Sequence, residues 1–206
     1  SEHPPYPAYS FTGGDLCEHP DLSIRIEDGY WNHSDAAVVF QRVDEGTGGV
    51  RYIYHGNDGT STPWNDTAQL NYLNPEVREA VIEQILEVAR RFPVVRFDAA
   101  MTLTRQHYRR LWYPAPGTGG DIPSRAEHGV DAEVFDALMP EEFWWEVAQR
   151  VREEAPETLL IAEAFWLLEG YFVRSLGVHR VYNSAFMHML RGGDGSPLRR
   201  LICDAL

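Results

Sequence analysis

The stretch Val94-Val95-Arg96-Phe97-Asp98-Ala99-Ala100, "VVRFDAA", decides the fold. It is apolar enough for a strand buried on both faces of a parallel sheet. Yet it carries an arginine and an aspartate two residues apart. Side chains alternate along a strand, so Arg96 and Asp98 point to the same side. A guanidinium beside a carboxylate keeps that carboxylate ionised and oriented. The charges therefore read as a device placed at the strand's end.

The surroundings support a strand there. "NPEVREAVIEQILEVARR" (Asn74 to Arg91) predicts a helix: Asn74 suits the N-cap, Pro75 the first position, and Val77, Val81, Ile85 and Val88 form one stripe. Glu76 complements the positive end of the helix, Arg90 and Arg91 its negative end. After the strand "PVVRFDAA" comes a loop-rich stretch from Trp112 to Val130. A short helix over 131–138 and a longer one over 140–155 follow, closed by Pro156. "TLLIAEAF" (Thr158 to Phe165) is a second strand, and "VHRVYNSAF" (Val178 to Phe186) a third that runs into a last helix. Alternating helices and strands predict an α/β fold with a parallel sheet, either open and doubly wound or closed as a (β/α)₈ barrel. Residues 1–63 read differently. They are irregular and rich in Pro, Gly, Tyr and Asp, with a hairpin predicted from "AAVVFQRV" and "VRYIYHG" around the turn "DEGTGG".

Both main strands acquire a charge as they end, Asp98 on the first and Glu163 on the second. In parallel α/β folds the C-terminal strand ends and their loops build the functional site. Arg96 would lower the pKa of Asp98 and suit it as a nucleophile. Glu163 sits between Ala162 and Ala164 with Phe165 and Trp166 close behind, and an apolar setting favours a protonated carboxyl. One ionised and one protonated carboxyl about 5 Å apart is what retaining glycoside hydrolysis requires. The structural alternative is an ion pair within one strand and an acid that caps the next helix.

Composition narrows the classes. A formal net charge of -13 over 206 residues would repel polynucleotides, so nucleic-acid binding is not expected. Cys17 and Cys203 make neither a disulfide framework nor a metal cluster, and no zinc spacing exists among the histidines. "TLLIAEAFWLL" is too short to span a bilayer and holds Glu163 in its middle. With no secretory or membrane segment visible, the cytoplasm is favoured slightly. The chain opens on Ser1 and stops in what reads as mid-helix, so a fragment is expected, with room for a signal upstream. The oligomeric state is not legible.

At these residues the sequence resembles the α-amylase superfamily of retaining α-glucan enzymes. The family's nucleophile motif, an apolar strand followed by Arg-x-Asp-Ala, stands here as "VVRFDAA". Its general-acid motif, an apolar strand ending in Glu with an aromatic close behind, stands as "LLIAEAFW". A third signature, a short segment ending in Leu-Asn before the helix that leads to the nucleophile, is matched by "WNDTAQLNYLNPEVREAV". The resemblance implies that residues 1–63 are the irregular domain inserted after the third barrel strand. Residues 64–206 would then be a partial TIM (β/α)₈ barrel, from about the fourth strand to the sixth helix. It implies that Asp98 is the nucleophile, Glu163 the acid/base and Arg96 the nucleophile's partner. The substrate would be an α-glucan or a small α-glucoside, with no cofactor required.

This chain also departs from the family. Many α-amylases follow the nucleophile's Asp-Ala-x with Lys-His, which hold the leaving-group sugar; here those places are Met101 and Thr102. That moves the expectation away from ordinary starch endohydrolysis and keeps open a transglycosylase or isomerase of small glucosides. The residue before the acid, often Gly, is Ala162. The third-strand Asn-His segment and the seventh-strand His-Asp, whose Asp is the third catalytic carboxylate, have no match within the chain. A catalytically silent sugar-binding relative and an unrelated α/β domain are the remaining rivals.

Aromatic residues make up 12% of the chain, enough to line a sugar site. Trp64, Trp166, Tyr113 and Trp112 fall near the predicted mouth and suit subsite walls, while Trp144 and Trp145 on their helix suit the core. His55 in "YHGNDG" could hydrogen-bond sugar hydroxyls or simply be a solvated loop residue. Asp58, Asp66 and nearby carbonyls could hold Ca²⁺, as some family members do beside the inserted domain, although the sequence does not itself argue for it. Lacking the third carboxylate, the purified chain is expected not to cleave a chromogenic maltooligosaccharide. Turnover that Asp98→Asn abolishes would overturn that expectation.

Overall fold

A computed structural model of the chain describes residues 39–43, 50–56, 64–118, 130–165, 167–182 and 184–192, with helical pieces at 195–196, 199–200 and 203. The chain divides into two units, residues 1–84 with 102–143 and residues 85–101 with 144–206.

In the first unit, Val39–Val43 (β1) and Val50–Gly56 (β2) pair antiparallel, from Val39 opposite Tyr54 to Val43 opposite Val50. This is the hairpin read from the alternating apolar runs; its turn at 44–49 lies outside the described residues. A third strand, Trp64–Ala68 (β3), adds antiparallel to β2. Its sequence "WNDTA" has little apolar alternation, and pairing makes it a strand. A side chain assists: Thr67 Oγ1 accepts the Gly56 N–H at 3.1 Å.

The helix Pro75–Ala89 (α1) starts as its capping residues predict, with Asn74 Oδ1 accepting the Glu76 N–H at 2.9 Å. Its buried residues, however, are Val77, Ile82, Leu86 and Ala89, and Val88 is exposed. The expected stripe is thus turned by about one residue. Both sets satisfy helical spacing, and only the neighbours choose between them. Arg105–Trp112 (α2) and Ala132–Leu138 (α3) complete the described helices of this unit. They surround an aromatic cluster. Tyr113 lies 6.0 Å from both Tyr108 and Phe135, and Tyr72 lies 5.1 Å from Phe143.

The second unit carries the parallel sheet. Val94–Phe97 (β4), Leu159–Ala162 (β5) and Arg180–Val181 (β6) pair in chain order. Phe143–Glu154 (α4) leads into β5, Glu169–Arg174 (α5) into β6, and Ser184–Gly192 (α6) follows β6. Thr158, itself buried, ties the sheet to the end of α1, donating its hydroxyl to Ala89 O at 2.7 Å. The strands are not buried on both faces, as their apolar runs suggest. Val95, Phe97, Leu160 and Ala162 are buried, whereas Val94 and Arg96 are exposed and Leu159 and Ile161 half-buried. The cause is one-sided cover. Trp144 from α4 stands 4.7 Å from Phe97, and Phe172 from α5 stands behind it at 6.4 Å. No described helix is long and apolar enough to cross a membrane.

Trp144 and Trp145 separate here. The expectation placed both in the core, but they are adjacent on α4 and so point about 100° apart. Trp144 is 6% exposed and donates its indole N–H to Ala100 O at 2.7 Å, while Trp145 is 42% exposed. Trp144→Ala should cost about 3–5 kcal/mol, and Trp145→Ala no more than about 0.5 kcal/mol. Urea unfolding of the two variants checks this, and equal losses would refute the packing described.

Candidate active site

The ladder sets the site. Phe97 pairs with Ala162, and Ala162 with Val181. Pairing runs one residue past the strands, since Glu163 N–H donates to Phe97 O at 2.9 Å and Tyr182 N–H to Ala162 O at 3.2 Å. The residues just beyond the paired ones are Asp98, Glu163 and Tyr182, so three strand tips present an aspartate, a glutamate and a tyrosine side by side. Strand parity puts all three, with Arg96, on the face that the helices leave open.

Arg96 joins them. Its Nη2 lies 2.6 Å from Asp98 Oδ1 and 3.3 Å from Glu163 Oε2. Its Nε donates to the Tyr182 hydroxyl oxygen, and the guanidinium carbon stands 5.1 Å from the centroid of the Tyr182 ring. Glu163 Oε2 also accepts the Ala99 N–H at 3.0 Å. That amide is aimed by an unusual backbone, because Ala99 has φ 42°, in the left-handed region that non-glycine residues seldom adopt. Residues held there cluster at sites where the surrounding structure over-determines the conformation. Here the backbone turns directly after Asp98 and delivers an N–H to the second acid.

The electrostatics follow from these contacts. The Asp98 carboxyl is held below its ordinary range, first by a hydrogen bond with the Glu163 carboxyl and then by the Arg96 guanidinium, which together outweigh partial desolvation. Glu163 Oε2 is approached by two N–H donors, from Arg96 and Ala99. Arg96 is pushed further toward its charged form by the hydrogen bonds to Tyr182 and Asp98.

The structure thus brings together Asp98, Glu163 and Arg96, in one unit and around one guanidinium. Tyr113 is fully buried and Trp112 nearly so, both within the first unit, where they offer no face to a sugar. Tyr113 packs in the aromatic cluster and donates its hydroxyl to Asn71 Oδ1 at 3.4 Å, which corrects its reading as a subsite wall. Its aromatic character suited either role, and burial decides. His55 and Trp64 are placed by their backbones, opposite Ala68 and Gly56 respectively, but their side chains lie outside the described residues, as does Trp166. So do Asp58 and the Asp66 side chain. Among the described residues, no three His, Cys, Asp or Glu side chains gather as a metal site.

Two participants were not found from sequence. The Ala99 amide has no signature, since a backbone turn after Asp98 is invisible in "DAA". Tyr182 had one: "VHRVY" ends in a polar side chain at its tip, as the two acid-ending strands do, and alternation puts that side chain on the open face.

No protein-family model matches the chain. No curated protein matches it either. Among solved structures it is similar to one titled "Family GH13_31 enzyme", with a TM-score of 0.43 and 16% identity over 88% of this chain. The chain spans 31% of that structure's length.

The pH response of the site has a definite sign. Asp98 titrates lower folded than unfolded, so its charge favours the fold above the ordinary carboxylate range. That contribution is lost as pH falls through the lowered value. Asp98 is more than half exposed, which makes the effect on stability small, and its own titration is the sharper measurement. Carboxylate ¹³C shifts should place the Asp98 midpoint below 3.8. Glu163→Ala and Arg96→Met should each raise it, and an unmoved midpoint would refute the contacts described.

Proposed function

We propose that this chain carries the catalytic pair of a retaining glycoside hydrolase acting on α-glucosidic bonds of α-glucans or small α-glucosides. The observation that carries the reading is a pair of carboxyls at the tips of adjacent parallel strands, bridged by a single guanidinium nitrogen. The α-glucosidic linkage comes from the resemblance of the three ordered motifs to the α-amylase superfamily. On the same reading, residues 1–63 form the inserted domain and residues 64–206 part of a (β/α)₈ barrel.

The chemistry is double displacement. Asp98, kept ionised by Arg96, attacks the anomeric carbon as Glu163 gives its proton to the glycosidic oxygen, which leaves with the aglycone. A covalent glycosyl-enzyme results. Glu163, now ionised, takes a proton from the incoming acceptor, whose oxygen attacks the anomeric carbon and releases Asp98. Retaining enzymes hold their carboxyls about 5 Å apart, closer than inverting ones, which leave room for a water. Two acids that reach the same guanidinium nitrogen lie on the short side of that division. If the acceptor is another sugar, the same steps give transfer. Met101 and Thr102 in place of Lys-His depart from the ordinary starch-hydrolase pattern and keep transfer or isomerisation of a small glucoside as the alternative.

The test uses the gene product that carries this chain, with an aryl α-glucoside. Asp98→Gly should abolish turnover, and added azide should restore it as the inverted β-glucosyl azide. Glu163→Ala should lower turnover by about 10²–10⁴-fold, with azide giving the retained α-glucosyl azide. Wild-type turnover unaffected by either substitution would end the proposal. Products longer than the substrate would assign transfer over hydrolysis.

A further inference from the structure

Arg96 carries the arrangement, yet its side chain is 46% exposed. An exposed arginine tends to swing into water, and an exposed ion pair alone compensates poorly for the rotamer freedom lost in holding one geometry. Something else must keep Nη2 between the two acids. Tyr182 supplies two constraints of different kinds. Its hydroxyl oxygen accepts the Arg96 Nε–H, which fixes one edge of the guanidinium plane. Its ring lies within cation–π range of the guanidinium, with the carbon 5.1 Å from the centroid. With Nε tied and the ring alongside, Nη2 is left pointing at Asp98 and Glu163.

Tyr182 is itself held by backbone. Its N–H donates to Ala162 O at 3.2 Å, so its height is set by the same register that sets Glu163. The other charge of β6 on that face, Arg180, is turned away, its Nη1 donating to His179 O at 2.7 Å. Tyr182 is therefore the group from the third strand that meets Arg96 among the described residues.

We infer that Tyr182 is a positioning residue for the carboxyl pair, acting through Arg96. It holds the guanidinium where one nitrogen serves both acids, so that Asp98 stays ionised and aimed. This deepens the glycosidase reading and rests on it for its catalytic meaning.

The experiment separates the two claims. Tyr182→Phe keeps the ring and removes the acceptor for Nε; Tyr182→Leu removes both. The Asp98 carboxylate is titrated by ¹³C NMR in each variant, with amide spectra confirming the fold. The Asp98 midpoint should rise in Tyr182→Phe and further in Tyr182→Leu. In an Arg96→Met background neither substitution should move it, because the influence runs through Arg96. In the gene product, Tyr182→Phe should lower kcat/KM on the order of ten- to a hundredfold, with KM little changed and the acidic limb of the pH profile moved upward. An unchanged Asp98 midpoint in both variants overturns the role of Tyr182 and leaves the glycosidase reading standing. A midpoint that rises in both variants, together with no turnover of any α-glucoside by the wild-type protein, supports the positioning contact and overturns the glycosidase reading. An equal rise in the Arg96→Met background would show that Tyr182 acts on Asp98 directly, and would also overturn the inference.

Discussion

The site depends on one constraint, the parallel register that pairs Phe97 with Ala162 and Ala162 with Val181. Parallel pairing carries every strand to its C-terminal end on the same edge of the sheet. In this register the next residues are an acid, an acid and a tyrosine. A slip of one residue in any strand would send its tip side chain to the helix-covered face. That face is closed by Trp144 and Phe172 against Phe97, so a slip would also drive Arg96 or Glu163 into an apolar layer. Burial on one face thus enforces the placement of charge on the other.

Around that register the charges organise themselves sparingly. One guanidinium nitrogen reaches two carboxyls, and a backbone amide at a left-handed alanine reaches the second of them. The Arg96–Asp98 contact is half open to solvent and weak by itself. The strength of these contacts lies in being shared, because Arg96, Asp98, Glu163, Ala99 and Tyr182 are fixed by three neighbouring strands rather than by long flexible segments. Functional groups on such rigid elements hold their geometry with little rearrangement when charge develops.

The helices show the difference between local and tertiary control. The start of α1 follows from Asn74 and Pro75, whose effects act within one turn. Which stripe of α1 is buried does not, since Val77-Val81-Ile85-Val88 and Val77-Ile82-Leu86-Ala89 are both apolar at helical spacing. Trp144 and Trp145 differ for the same reason, and so does Tyr113, whose ring suits a sugar wall and a core cluster equally. Strand β3 lies further still from its local sequence, because "WNDTA" becomes a strand through its pairing with β2.

The amino-acid sequence by itself determined the alternation of the main helices and strands, the parallel character of the main sheet, and the candidacy of Arg96, Asp98 and Glu163. Those conclusions need only alternation, capping and the rarity of charge at the end of an apolar run, all of which act over a few residues. Tertiary structure alone decided that the two acids share one guanidinium nitrogen, that Ala99 turns its amide to Glu163, and that Tyr182 joins the group. Those outcomes depend on residues 67 and 86 positions apart meeting across the sheet. No local rule carries that distance: it is set by strand register and by which face the aromatic side chains cover.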